Sequence, residues 1–101
     1  MPLLTDPLHS GCLNLKNRLV FPSVSTSTAD ENGKVTEDTL NFFRERTKGF
    51  GLAILEHSYV SSLGKAGPHM LSISSDSDIE GLAKLVRLVH DNDCQMHIQL
   101  D

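Results

Sequence analysis

Short continuous apolar runs alternate along this chain with polar stretches that carry helix signals. Arg18-Leu19-Val20-Phe21-Pro22 and Gly51-Leu52-Ala53-Ile54-Leu55 are unbroken runs, the pattern of parallel strands covered on both faces. Pro22 ends the first, because proline has no N–H to give to a ladder. A third strand is predicted over 95–100, and its end, Met96-His97-Ile98-Gln99-Leu100-Asp101, is polar where a buried strand hands over to a loop. Ahead of the three, Leu8, Leu13 and Leu15 lie around turn signals at Ser10-Gly11 and Lys16-Asn17, which predicts a small hairpin within residues 3–17.

Two helices fall between the strands. The first is predicted over 37–48: Thr36 offers a capping hydroxyl, Glu37 and Asp38 put negative charge in the first turn, and Lys48-Gly49 supplies a cationic last turn with a left-handed stop. Its stripe of Leu40, Phe42 and Phe43 is thin, so it should cover a sheet on one side only. The second begins at Ser77-Asp78-Ile79-Glu80, read as a capping box. Ile79, Leu82, Ala83, Val86 and Val89 form its expected buried face, Lys84, Arg87 and Asp91 face outward, and Asn92-Asp93 closes it. Ser23–Lys34, with its turn at Asp30-Glu31-Asn32-Gly33, and Ser61–Ser75, rich in Ser and Gly, read as surface loops. The order hairpin, strand, helix, strand, helix, strand is an α/β pattern with right-handed parallel crossovers.

Composition narrows the classes. A chain of 101 residues is one domain at most, and 39 % apolar with 22 % charged residues is ordinary globular usage. A formal charge of −4 and the lack of a basic patch argue against a nucleic-acid partner. Cys12 and Cys94 are far apart and read as free thiols of a reducing compartment. The amino terminus lacks the basic start and apolar core of a signal peptide, and no run is long enough for a bilayer, so a cytoplasmic protein without a membrane partner is expected. The five histidines show no zinc-type pairing, and no metal is expected.

In a parallel layout the residues just past the strands point to one edge. They are Ser23, Ser25 and Thr26 after the first strand, Glu56 and His57 after the second, and Gln99 near the end of the third. Hydroxyls, a carboxylate, an imidazole and an amide suit a planar heterocycle better than a nucleophilic triad. Ser23 or Ser25 with His57 and Glu56 has no Gly-x-Ser-x-Gly elbow, and strand neighbours point to opposite faces. Each residue also has a structural reading: Glu56 as a buried carboxylate held by lysine or backbone amides, His57 as a loop-edge residue with a local hydrogen bond, Gln99 as a satisfied core amide. No Walker loop or Gly-x-Gly-x-x-Gly turn is present.

Several segments in one order carry a family resemblance. They are Leu13-x-Leu15-Lys16-Asn17-Arg18-Leu19-Val20-Phe21-Pro22, Gly33-x-Val35-Thr36, Gly51-Leu52-x-Ile54-x-Glu56-His57-Ser58-Tyr59-Val60, Ile79-x-Gly81-Leu82-x-Lys84-Leu85-Val86, and Gln99. Together they resemble the amino-terminal part of the old yellow enzyme family, NADH:flavin oxidoreductases that are (β/α)₈ barrels. The resemblance implies a hairpin at the barrel floor and three of the eight strands, so that residues 1–101 are an incomplete FMN-binding barrel segment. It implies FMN at the carboxyl edge, with Pro22, Ser23, Val24 and Ser25 against the isoalloxazine, His57 near the flavin and Gln99 hydrogen-bonded to the pyrimidine ring. Hydride would pass from NAD(P)H through FMN to an activated alkene.

The chain departs from the family in having Ser23-Val24 where Pro-Met is usual after the first strand. The family's substrate-binding His/Asn pair, proton-donating tyrosine and phosphate-binding arginine and glycines are expected beyond residue 101, and no catalytic residue is assigned here. The alternative reading is a truncated, non-catalytic product that binds no FMN and self-associates through open sheet edges. A homo-oligomer or a complementing carboxyl-terminal segment is therefore expected as partner, alongside a small-molecule substrate.

Overall fold

The computed structural model describes residues 1–101, with the elements β1 (Leu8–Ser10), β2 (Leu13–Leu15), β3 (Val20–Phe21), α1 (Glu37–Arg46), β4 (Leu52–Tyr59), β5 (Leu71–Ser72), α2 (Ile79–Asp91) and β6 (Gln95–Leu100). β1 and β2 form the predicted antiparallel hairpin, Leu8 opposite Leu15, with Gly11 at φ +59° in its turn. All other pairings are parallel, and β4 is central. β6 runs along one edge of it, while β3 at Leu52–Ala53 and β5 at Ser58–Tyr59 share the other.

Both helices cover one face of this sheet. Leu40, Phe43, Ala53, Leu55, Leu71, Leu82, Leu85, Val89 and Cys94 form one core, joined at its border by Phe21, Met96 and Ile98. Phe21 meets Phe42, Phe43 and Phe50 edge to face, at centroid distances of 6.2, 6.1 and 5.4 Å. Because Met96 and Ile98 pack on this core, alternation puts His97 and Gln99 on the opposite face. That face is open: Val20 is 43 % exposed, so the first strand is covered on one face only.

Lys16, where the hairpin leaves, ties its floor to both helices. Its Nζ donates to the carbonyls of Lys48, 2.9 Å, and Asn92, 2.6 Å, near the helix carboxyl ends where a cation is favoured.

Several boundaries differ from the sequence reading. α1 stops at Arg46, and Gly49 does not take a left-handed conformation. Buried Thr47 ends the helix instead, its hydroxyl donating to the Phe43 carbonyl at 2.6 Å. At α2 the capping box lies two residues earlier: the Ser75 N–H donates to the Asp78 carboxylate at 3.2 Å, and a 3₁₀ turn at Asp76–Asp78 leads into the helix. The buried face of α2 is Leu82, Leu85 and Val89, whereas Ile79 is 62 % exposed. The second strand runs on to Tyr59, so Glu56 and His57 lie inside it. The stretch 61–75 is not all surface loop, since Met70, Leu71 and Ser72 are buried and β5 extends the sheet. These residues gain their structure from β4, which no local pattern in 61–75 announces.

Candidate flavin-binding edge

The polar residues named from the sequence meet at the carboxyl edge of the sheet. After β3 the chain leaves the ladder at Pro22 and passes beside β4. The Ser23 hydroxyl donates to the Leu55 carbonyl at 3.4 Å, while Pro22, Val24 and Ser25 remain exposed. β4 carries one extra residue here: Leu55 pairs with Ile98 but Ser58 with Leu100, a bulge that breaks the strict alternation of side chains. The bulge spans Glu56 and His57.

Glu56 is buried, 1 % exposed, and accepts from Thr26 twice, from the N–H at 3.2 Å and from the hydroxyl at 2.6 Å. It is the held carboxylate of the structural reading, with a threonine rather than a lysine as its partner. His57 is half-buried, and its Nδ1 lies 3.1 Å from Oδ2 of Asp101. Ser25 and His57 line a cavity of about 260 Å³ with Ser27, Ala66, Gly67, Pro68, His69 and Met70. Gln99 stands exposed on the open face, with no hydrogen-bond partner for its amide. Thr26 and Glu56 are thus drawn into a structural pair, while Ser25, His57 and Gln99 keep surface or cavity to offer a ligand.

Sequence reasoning had no means of finding His69 or Ser27. His69 sits in a Ser- and Gly-rich stretch without periodicity and reaches the edge only because β5 brings its loop back. Its Nδ1 lies 2.9 Å from the Ala29 carbonyl, which makes that nitrogen the donor. Ser27 adopts φ +55°, a left-handed conformation that side-chain chemistry does not foretell for serine.

A second polar cluster sits behind the edge, between the amino ends of the helices. Lys34, Ser72 and the Ser75 N–H all bond Asp78. Burial pushes the Asp78 carboxyl up, but the hydrogen bonds from Lys34, Ser72 and Ser75 outweigh it and hold its pKa below the ordinary value. Burial pushes the Cys94 thiol up, and both cysteines are free. No group of three or more metal-ligating side chains occurs, and no helix is long and apolar enough to cross a membrane.

The sequence model of the NADH:flavin oxidoreductase / NADH oxidase family matches residues 3–101. The chain belongs to that family. It is 34 % identical over 83 residues to an NADH:acrylate oxidoreductase of Vibrio harveyi, covering 82 % of this chain and 8 % of that protein. To a bilirubin reductase of Mediterraneibacter gnavus it is 30 % identical over 97 residues, covering 96 % of this chain and 15 % of that one. Its structure superposes on the old yellow enzyme homologue of Zymomonas mobilis with a TM-score of 0.90 at 28 % identity, over 98 % of this chain and 28 % of that chain. The fold is therefore the opening part of a (β/α)₈ barrel, with its helices outside and its open face toward the barrel interior. The family is one of oxidoreductases that use NADH and flavin. This chain spans a small part of the length of its relatives.

Proposed function

We propose that this chain forms the flavin-facing wall of an FMN-dependent NAD(P)H oxidoreductase acting on an activated alkene, with the remaining barrel supplied by further sequence. The observation that carries the reading is the unpartnered amide of Gln99 on the open face, at the same edge as the exposed Pro22–Ser25 segment. An amide both donates and accepts, and the pyrimidine edge of a flavin presents carbonyls on either side of an N–H, so the donor set fits. Pro22 and Val24 offer apolar surface to a planar ring, and Ser25 and His57 flank it with groups that can hydrogen-bond. His57 is held in place through Nδ1 by Asp101, which leaves Nε2 for a ligand.

FMN, when bound, supplies the hydride chemistry. The residues here bind and orient: Gln99 fixes the heterocycle, and the Pro22–Ser25 wall sets its plane. The acrylate and bilirubin in the names of two relatives support an electron-poor double bond as acceptor, and a cytoplasmic location accords with free thiols. The test is a titration of the 101-residue chain with FMN, followed by flavin fluorescence and absorbance. Saturable binding with a shifted spectrum supports the reading, and no binding by a folded sample overturns it for this chain.

A second reading has its own observation. β6 has one unpaired edge, and beside it Ile73, Ile79, Val86 and Ile98 line an apolar groove of about 440 Å³. A non-catalytic product that self-associates through these surfaces would elute as an oligomer in size-exclusion chromatography and leave the flavin spectrum unchanged.

A further inference from the structure

Residues 22–28 carry the proposed flavin wall, yet no backbone–backbone hydrogen bond holds them. Ser27, within the stretch, is in the left-handed region at φ +55°, an unfavourable place for a residue with a Cβ. Side chains must fix this segment, and apart from Ser23 they do so through one connected chain of hydroxyls.

The chain starts at the amino end of α1. Thr36 donates its hydroxyl proton to the Thr28 carbonyl at 2.6 Å, and the Thr36 N–H donates to the Thr39 hydroxyl at 3.2 Å. Thr39, fully buried, donates to the Thr28 hydroxyl at 2.8 Å. The Thr28 and Thr26 hydroxyls are 2.7 Å apart, and Thr26 donates to Glu56 at 2.6 Å. A hydroxyl has one proton to give. Thr26 has spent its own on Glu56, so the proton between Thr26 and Thr28 belongs to Thr28. Every hydroxyl proton from Thr39 onward therefore points toward Glu56, which accepts at both oxygens and ends the chain.

We propose that Glu56 is a positioning residue, whose carboxylate orders a directed Thr39–Thr28–Thr26 hydroxyl chain and thereby fixes the Pro22–Ser25 wall against the flavin. The inference rests on the FMN reading for its purpose, though not for its geometry. A terminal group that only accepts sets the direction of all three bonds. An amide in its place must also donate, and its N–H can face only the Thr26 N–H or the Thr26 oxygen. The first is repulsive and the second reverses the chain, leaving Thr39 to donate to Thr36 across a longer 3.2 Å.

Exchange of the Thr26 amide, the one N–H of residues 23–28 that has a hydrogen-bond acceptor, read together with FMN titration, tests this on the whole 101-residue chain. Thr28→Val removes the hydroxyl at nearly constant shape, and Thr28→Ser keeps it. Exchange at Thr26 is expected to quicken about tenfold in Thr28→Val while β4 stays protected, with Thr28→Ser close to wild type. If the wall is then ordered in about a tenth of molecules, FMN binds about tenfold more weakly, and Thr28→Ser restores it. Glu56→Gln should quicken the same Thr26 amide, and it decides the matter if Thr28→Val does not fold.

Unchanged exchange in both Thr28→Val and Glu56→Gln overturns the proposal. So does equal loosening in Thr28→Val and Thr28→Ser, because the serine keeps the hydroxyl and would then loosen as much as the variant that lacks it. A wild-type chain that binds no FMN overturns the flavin reading instead, and the exchange pattern still decides the directed chain.

Discussion

Lys34, in the loop before α1, places its Nζ 2.5 Å from Oδ1 of Asp78, at the entrance to α2. The contact joins segments 44 residues apart and closes the amino ends of the two helices against each other. Asp78 is buried and answers three donors, so Asp78→Ala is expected to lower the unfolding free energy by about 2–3 kcal/mol, the cost of leaving buried donors unmet. The Asp78 pKa is depressed in the fold, so its contribution is complete above the ordinary value of 3.8 and is lost as pH falls through the native value below it. Urea midpoints measured from neutral pH down to acid should fall for the wild type in that window. In Asp78→Asn this part of the fall should be missing.

Gly33 has φ +77°, and a Cβ there would lie 2.6 Å from both the Ser72 Cβ and the Tyr59 hydroxyl. Gly33→Ala therefore meets backbone strain and a collision together, and a loss of about 2–4 kcal/mol is expected. Gly11, also left-handed but with open space around it, should cost only about 1 kcal/mol as Gly11→Ala. Thermal or urea unfolding of the two variants checks the difference.

Leu85 is fully buried on α2, while Ile79 is largely exposed. Leu85→Ala should destabilise the chain by about 2–5 kcal/mol and Ile79→Ala by under about 1 kcal/mol. Equal losses in denaturant titrations would mean that the groove beside Ile79 is filled in solution.

Gln99 makes no bond within the chain, so Gln99→Leu should leave the unfolding curve nearly unchanged. It should weaken FMN by about three- to tenfold, the worth of one or two lost hydrogen bonds. A large loss of stability with unchanged flavin affinity would return Gln99 to the core-amide reading.

The strands and helices were legible where local pattern and tertiary demand coincide. The run around Leu52–Leu55 must be buried whatever surrounds it, and Thr36 followed by Glu37 and Asp38 caps α1 in isolation as well as in the fold. Boundaries failed where a distant partner decides. Thr47 ends α1 because its hydroxyl can satisfy the Phe43 carbonyl and its side chain is buried, which removes the need for a left-handed Gly49. Helix α2 turns Leu85 inward rather than Ile79, because packing against α1 and the sheet selects among several apolar positions at helical spacing.

The sequence by itself determined the parallel α/β order, the opening hairpin and the set of polar residues at one edge, for these follow from apolar spacing, turn residues and the direction of the strands. Only the tertiary structure decided which of those residues are free to meet a ligand. The β4 bulge sits where Glu56 turns to Thr26 and His57 to Asp101, and β5 returns from a patternless stretch to set His69 beside Ser25. Such contacts join residues 30 or more positions apart, and no local propensity encodes a partner at that distance.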